Sequence, residues 1–210
     1  MADRSEHVTW HAHAVTRELR AGAALSAAGA TVWITGLPAS GKSTIAAALE
    51  AALLEGGRAA YLLDGDNLRH GLNGDLGFSA ADRGENVRRA GEVARLLADA
   101  GLVAIASLVS PYAADRARAR ETHERHGLRF LEVYVNTPLE ECERRDPKGL
   151  YAKARAGALA NFTGVDDPYE SPERPDLELR PLDGGVEQAA AAVLALLAQS
   201  DRTPPPRAPR

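Results

Sequence analysis

Cysteine is almost absent. Cys142 is the only one in 210 residues, which excludes regulation by an intramolecular disulfide and points to a reducing, cytoplasmic setting. No apolar run reaches the roughly 18 to 20 residues that a membrane helix needs. The opening, MADRSEHVTWHAHAV, lacks the apolar centre of a secretory signal. A basic excess is missing too: 25 Lys and Arg stand against 29 Asp and Glu, a formal charge of −4, which speaks against general nucleic-acid binding. Lysine is scarce beside arginine, with only Lys42, Lys148 and Lys153 against 22 arginines. A chain that otherwise uses Arg marks these as places where a compact, flexible ammonium matters. The 45% apolar and 26% charged residues that remain describe a globular protein able to bury its own core. A cytoplasmic enzyme or a small regulatory NTPase fits.

Residues 1–30 are polar and Ala-rich and read as an N-terminal arm. His7, His11 and His13 have no Cys or acidic partner at a metal-site spacing and belong to that arm. From residue 31 a β/α alternation begins. TVWIT (31–35) predicts a strand, 43–54 a helix ended by Gly56-Gly57, and AAYLLD (59–64) a second strand. Apolar residues at helical spacing over 86–100 predict a helix, and LVAIASLV (102–109) a third strand. A charged helix over about 113–126, a strand RFLEVYV (129–135) and a helix opened by Pro138 follow. Residues 146–175 read as irregular, DLELRP (176–181) as a fifth, edge strand, and 186–197 as a last amphipathic helix. The pattern predicts an α/β fold, a parallel sheet of about five strands with helices on both faces and a lid segment, and the segment GLPASGKS (36–43) after the first strand makes it one of the P-loop NTPase type. The domain spans 31–200 with the lid at about 146–175. Four prolines in the tail TPPPRAPR mark 201–210 as disordered.

Gly36-Leu37-Pro38-Ala39-Ser40-Gly41-Lys42-Ser43, followed by Thr44, matches G-x-x-x-x-G-K-[ST] between a predicted strand and a predicted helix. Gly36 and Gly41 free the backbone to turn successive N–H groups around a phosphate. The helix beginning near Lys42 adds its positive end. Lys42 is placed to reach the β- and γ-phosphates, and the Ser43 hydroxyl to ligate Mg²⁺. The loop specifies a nucleoside triphosphate but not what is done with it.

No Asn-Lys-x-Asp base-reading segment is present, as a GTPase would carry, and strand three ends in Ser110-Pro111-Tyr112 without the carboxylate of a motor ATPase. The acids instead follow strand two, in Asp64-Gly65-Asp66-Asn67. A carboxylate at that strand end can orient Mg²⁺-bound water or accept a proton from an attacking hydroxyl. Arg69, Phe78, Arg83 and Asn86 come next: planar forks for phosphate or sulfate oxygens, and a ring face for a base. Asp82 can also cap the following helix, with Glu85 at the capping-box position. Lys148 and Lys153 fall in the long segment at 146–175, where Phe162, one of three phenylalanines, lacks an obvious core role. A long functional loop there is a lid that excludes water from the transferring phosphoryl group.

Together, GLPASGKS (36–43), LDGDNLRHGLNGDLGFSAADRGENVRR (63–89), SPY (110–112), RDPKGLYAKARAG and NFTGVDDPYE (145–170) resemble the adenylylsulfate kinase (APS kinase) family. The resemblance implies transfer of the ATP γ-phosphoryl to the 3′-hydroxyl of adenylyl sulfate, giving 3′-phosphoadenylyl sulfate (PAPS) in sulfate assimilation. It implies that Gly36 to Thr44 bind ATP, with Ser43 on Mg²⁺, and that Asp64 and Asp66 form the family's acidic pair, either of which can be the base; Asp66 is favoured for the hydroxyl proton and Asp64 for the metal. Arg69, Arg83, Asn86 and Lys148 would bind the phosphosulfate and ribose, and Phe78 and Phe162 would sandwich the adenine. A homodimer is implied as well. The family is also described with a phosphoserine at the position of Ser110. A serine nucleophile needs an adjacent base, and none lies near Ser110 in sequence, so direct transfer is expected, with Ser110 a strand-end binding residue. Pro38-Ala39 replaces the Ser-Gly the family often has, where only the backbone is needed. About 30 residues after the fifth strand are too few for a fused sulfurylase domain, so a separate ATP sulfurylase is expected to supply the substrate. Another small-molecule P-loop kinase, or a non-catalytic nucleotide-binding module, remains open as an alternative.

Overall fold

The computed structural model describes residues 29–180 and 184–202. The alternation runs β1 (Ala30–Thr35), α1 (Lys42–Glu55), β2 (Ala60–Asp64), a short α2 (Gly65–Leu68) and α3 (Ala80–Asp99). It continues through β3 (Val103–Ser107), α4 (Ala113–Arg125), β4 (Arg129–Val135), α5 (Leu139–Arg145), α6 (Leu150–Arg155), β5 (Leu177–Leu179) and α7 (Gly185–Asp201). The strands form one parallel sheet in the order β2-β3-β1-β4-β5, the α/β architecture expected, with the short fifth strand at an edge.

Side chains alternate across β1. Val32 and Ile34 pack with Ile45 and Leu49 of α1 and with Val193 and Leu197 of α7. Trp33 faces the other way, onto Val87 and Ala90 of α3, Ala119 of α4 and Phe130 of β4. Burial on both faces explains why the central strands read as nearly continuous apolar runs. Trp33 stacks on Phe130 with ring centroids 5.6 Å apart, an arrangement that adds about 0.5–1.5 kcal/mol beyond the area buried. Strand order reverses at β1, with β3 on one side and β4 on the other. The crevice at the carboxyl ends therefore opens beside β1, where open α/β sheets take ligands, and the glycine-rich loop leaves β1 at that point.

Helix α3 begins a turn and a half earlier than its apolar spacing indicated. Ser79 caps it, accepting from the Asp82 backbone N–H at 3.2 Å and donating to Asp82 Oδ2 at 2.8 Å. The reciprocal cap is therefore Ser79–Asp82 rather than Asp82–Glu85, and Glu85 instead pairs with Arg88 and Arg89 on the helix surface. Residues 146–175 are not wholly irregular either. Asp146 accepts from the backbone N–H groups of Leu150, Tyr151 and Ala152, which satisfies the first donors of α6 and sets that helix inside the lid. Ala30 belongs to β1 rather than to an arm. At the other end α7 runs to Asp201, which pairs with Arg58 at 2.6 Å and Arg129 at 3.4 Å. Residues 1–28 of the expected arm, including His7, His11 and His13, and the tail from residue 203 lie outside the described residues.

His123 joins α4 to the sheet. Its Nδ1 donates to the Ala119 carbonyl at 2.8 Å, and its Nε2 lies 2.8 Å from the Thr31 hydroxyl. Burial, opposed by the Ala119 hydrogen bond and aided by Arg95, pulls its pKa from 6.5 down to about 4. Between these values the unfolded chain binds a proton that the folded one refuses, so stability falls as pH falls from 6.5 to about 4. The stability advantage of wild type over His123→Gln, measured by urea melts, should narrow across that window. A constant difference would mean that His123 does not titrate with folding.

Candidate active site

The phosphate loop is shaped by its two end glycines. A Cβ on Gly36 would meet the Val135 carbonyl oxygen at 2.7 Å. Gly41, the residue before α1, takes φ +102°, a conformation L side chains resist. Between them Ala39 sits at φ +59°. The alanine in place of the family's frequent glycine is therefore not conformationally neutral, because a Cβ there costs roughly 1–2 kcal/mol. Lys42 folds back over the loop, donating to the Leu37 carbonyl at 2.7 Å and to Ser40 Oγ at 3.4 Å. It is only 7% exposed, and burial lowers its pKa from 10.5 to about 8, against the opposing pull of Cys142, Asp66 and Asp64.

Asp64, at the end of β2, is buried and fully oriented. Its Oδ1 accepts from the backbone N–H groups of Asp66 at 3.0 Å and Asn67 at 3.2 Å, which starts α2. Its Oδ2 accepts from the Ser43 hydroxyl at 2.7 Å. The two oxygens that the sequence offered for a metal are thus adjacent at the mouth of the loop. Asp66, two residues on, is ion-paired with Lys148 of the lid.

Arg69 and Arg83 share the Phe78 ring, with guanidinium carbons 4.3 and 5.6 Å from its centroid. Arg69 donates to the Gly77 carbonyl at 2.9 Å, and Arg83 to Phe78 O at 3.1 Å and Asn161 O at 2.6 Å. Burial lowers the pKa of both, and for Arg69 the neighbouring Arg83 adds to the effect. Two half-buried cations side by side, of which Arg83 also lies 3.7 Å from Asp167, favour an anion. Asn86 is held by Asn73, whose Nδ2 donates to Asn86 Oδ1 at 2.9 Å. Phe162 lies edge-on to Tyr151, centroids 4.9 Å apart, and Tyr151 donates to the Pro38 carbonyl at 3.1 Å, tying the lid to the phosphate loop.

One cavity of about 460 Å³ joins these parts. Lys42, Ser43, Thr44, Asp64 and Asp66 line it on the loop side. Arg69, Phe78, Arg83 and Asn86 line it further along, and Lys148 and Phe162 line it from the lid. Pro38, Ala39 and Gly41 also reach its wall, whereas Gly36, Leu37 and Ser40 do not line it. Arg145, not singled out from sequence, lines the cavity too, donating to Glu141 at 2.7 Å and to the Ser40 carbonyl at 3.4 Å. Its only signal was its place in the R-D-P-K-G run.

Ser110 also lines the cavity, but its hydroxyl is engaged. It accepts from Trp33 Nε1 at 3.1 Å and donates to the Thr35 hydroxyl at 3.0 Å. Its backbone takes φ +38°, held by Arg116, which donates to the Ser110 carbonyl at 2.7 Å and to the Glu170 carbonyl at 2.6 Å. Arg116, unremarked in the sequence, therefore fastens the far end of the lid to the end of β3.

Residues 28–180 match the family model described as adenylylsulphate kinase. The chain is 58% identical over 204 residues to an adenylyl-sulfate kinase of Citrobacter koseri, covering 96% of this chain and 98% of that one. It is 51% identical over 191 residues to one from Saccharomyces cerevisiae, covering 91% and 94%. Its structure matches that of the Mycobacterium tuberculosis APS kinase CysC in complex with AMPPNP and APS, with a TM-score of 0.80 and 56% identity over 82% of this chain and 99% of that one.

Proposed function

The chain belongs to the adenylylsulfate kinase family, and from that premise we propose how its residues share the work. The enzyme transfers the γ-phosphoryl of ATP to the 3′-hydroxyl of adenosine 5′-phosphosulfate, giving 3′-phosphoadenylyl sulfate and ADP. A bond forms between the ribose 3′-oxygen and the γ-phosphorus, the bond from that phosphorus to the β,γ-bridging oxygen breaks, and the hydroxyl proton goes to Asp66. Lys42 meets the charge on the β- and γ-phosphates, which is most of what phosphoryl transfer asks of a protein. Arg69, Arg83, Asn86 and Lys148 hold the phosphosulfate and ribose, and Phe78 and Phe162 hold the adenine. The single observation that carries this reading is the shared cavity: the phosphate loop, Asp66 and the paired arginines open into one space.

Ser43 and Asp64 suit Mg²⁺, a hard cation that takes oxygen ligands and keeps several waters. Their 2.7 Å contact places a hydroxyl and a carboxylate side by side on the cavity wall. When bound, the ion would neutralise phosphate charge. Direct transfer is favoured over a phosphoserine, because the hydroxyl of Ser110 is shared with Trp33 and Thr35 rather than with a base. The reading extends to a homodimer, working in the cytoplasm on adenylyl sulfate from a separate ATP sulfurylase; the lone, buried Cys142 suits a reducing compartment.

An ADP-release assay with adenylyl sulfate, AMP, gluconate and shikimate as acceptors tests the assignment. Turnover should require adenylyl sulfate, and a rate no better than with AMP would defeat it. Lys148→Ala should raise the KM for adenylyl sulfate about tenfold or more, as expected for a charge-assisted hydrogen bond to an anion. Steady-state kinetics with KM and kcat both unchanged would contradict that role.

A further inference from the structure

Strand β3 ends in Ser107, at the place where a motor ATPase carries an acid. In the parallel register of β2 and β3, Ser107 stands opposite Asp64, and register partners direct their side chains to the same face. Two residues earlier, Ile105 packs among Ile45 and Leu49 of α1, so that face is the one towards α1 and its first residues, Lys42 and Ser43. Ser107 is only 3% exposed. Its Oγ has no hydrogen-bond partner among the described residues, yet the residue lines the same cavity as Ser43 and Asp64. Buried hydroxyls are nearly always partnered, by protein or by ordered water. A buried hydroxyl that no protein group satisfies, on a residue of the cavity wall in register with Asp64, has its partner in what binds there.

We infer that Ser107 is a third oxygen of the magnesium–ATP site, after Ser43 and Asp64, and that its hydroxyl holds a water of the bound ion. The magnesium–ATP reading proposed above is the premise. Mg²⁺ dehydrates reluctantly and retains several waters, so a short hydroxyl set back at a strand end suits a bound water better than the ion itself. Serine also lets this chain keep the position uncharged, which leaves Asp64 as the carboxylate beside Ser43. Ser107 is a positioning residue on this view, and its effect depends on the metal.

Calorimetric binding of AMPPNP, with Mg²⁺ and in EDTA, separates this role from a general packing role. In wild type Mg²⁺ should tighten binding. Ser107→Ala should leave the affinity in EDTA unchanged and reduce the gain given by Mg²⁺ about three- to tenfold, the worth of one hydrogen bond. Ser107→Thr, which keeps the hydroxyl and suits a strand, should restore the gain. An undiminished gain in Ser107→Ala, or an equal loss with and without the metal, would overturn the inference while leaving the magnesium–ATP site in place. Absence of any gain in wild type would instead remove that site itself.

Discussion

Asp66→Asn should lower kcat by about 10²-fold or more, the range for loss of a positioned acid–base group. The amide keeps the size of the carboxylate but cannot take the proton that leaves the 3′-oxygen. Asp66 follows directly from the β2–α2 junction, where Asp64 fixes the backbone by accepting from the N–H groups of Asp66 and Asn67. The substitution should therefore leave the loop, and the KM for ATP, close to wild type. Steady-state kinetics with saturating ATP and adenylyl sulfate provide the check. Near-normal kcat would rule out Asp66 as the base. Asp64→Asn would act differently, by weakening the partner of the Ser43 hydroxyl and with it the dependence on Mg²⁺.

Lys42→Met should lower kcat/KM for ATP by roughly 10²- to 10³-fold, because preorganised charge on the transferring group is usually the largest single contribution to such a reaction. The pH dependence gives a second reading of the same residue. Burial holds the pKa of Lys42 at about 8, so above that pH the side chain is mostly neutral before ATP arrives. The phosphates favour the charged form and raise the pKa on binding. Affinity for ATP should accordingly weaken as pH rises through about 8, and binding at a pH somewhat above 8 should take up protons. Calorimetry in buffers of different ionisation enthalpy would detect that uptake in wild type. The same uptake in Lys42→Met would assign it to another group.

Much of the fold is legible in the sequence because its signals are local. The β/α alternation follows from apolar runs of strand length separated by helical spacing, and Gly36 and Gly41 bracket the phosphate loop where strand becomes helix. The start of α3 was hidden because its first turns, ADRGEN, are polar and hold Gly84. That glycine lies in a helix packed closely on α4, where a Cβ would come 3.2 Å from Asp115 Oδ2. Helix α6 was hidden for another reason. Six residues are too few to show a period, and Asp146, which caps it, lies four residues before its first member. Strand order cannot be read locally either, yet it decides which side chains share the cavity.

For the site the division is similar. Lys42, Ser43, Asp64 and Asp66 stand out because their types and spacing carry chemistry in any chain. Arg116 does not, being one arginine among many on a charged helix, and its role depends on two carbonyls brought to it by distant segments. Ser107 is a single hydroxyl in an apolar run, and only the register with Asp64 gives it a place. Lys148 was expected to face the acceptor. Its ion pair with Asp66 adds that the lid cation and the proposed base are neighbours before substrate enters. On the proposed assignment the anionic acceptor would compete for Lys148, coupling acceptor binding to release of the base.

The most direct measurement is a crystal structure of the enzyme with AMPPNP, Mg²⁺ and adenylyl sulfate bound together. Direct transfer predicts the 3′-oxygen about 3–3.5 Å from the γ-phosphorus, in line with the bond to be broken, and within hydrogen-bonding distance of Asp66. A 3′-oxygen turned towards Ser110 and away from the phosphorus, or an acceptor pocket empty at saturating adenylyl sulfate, would contradict it.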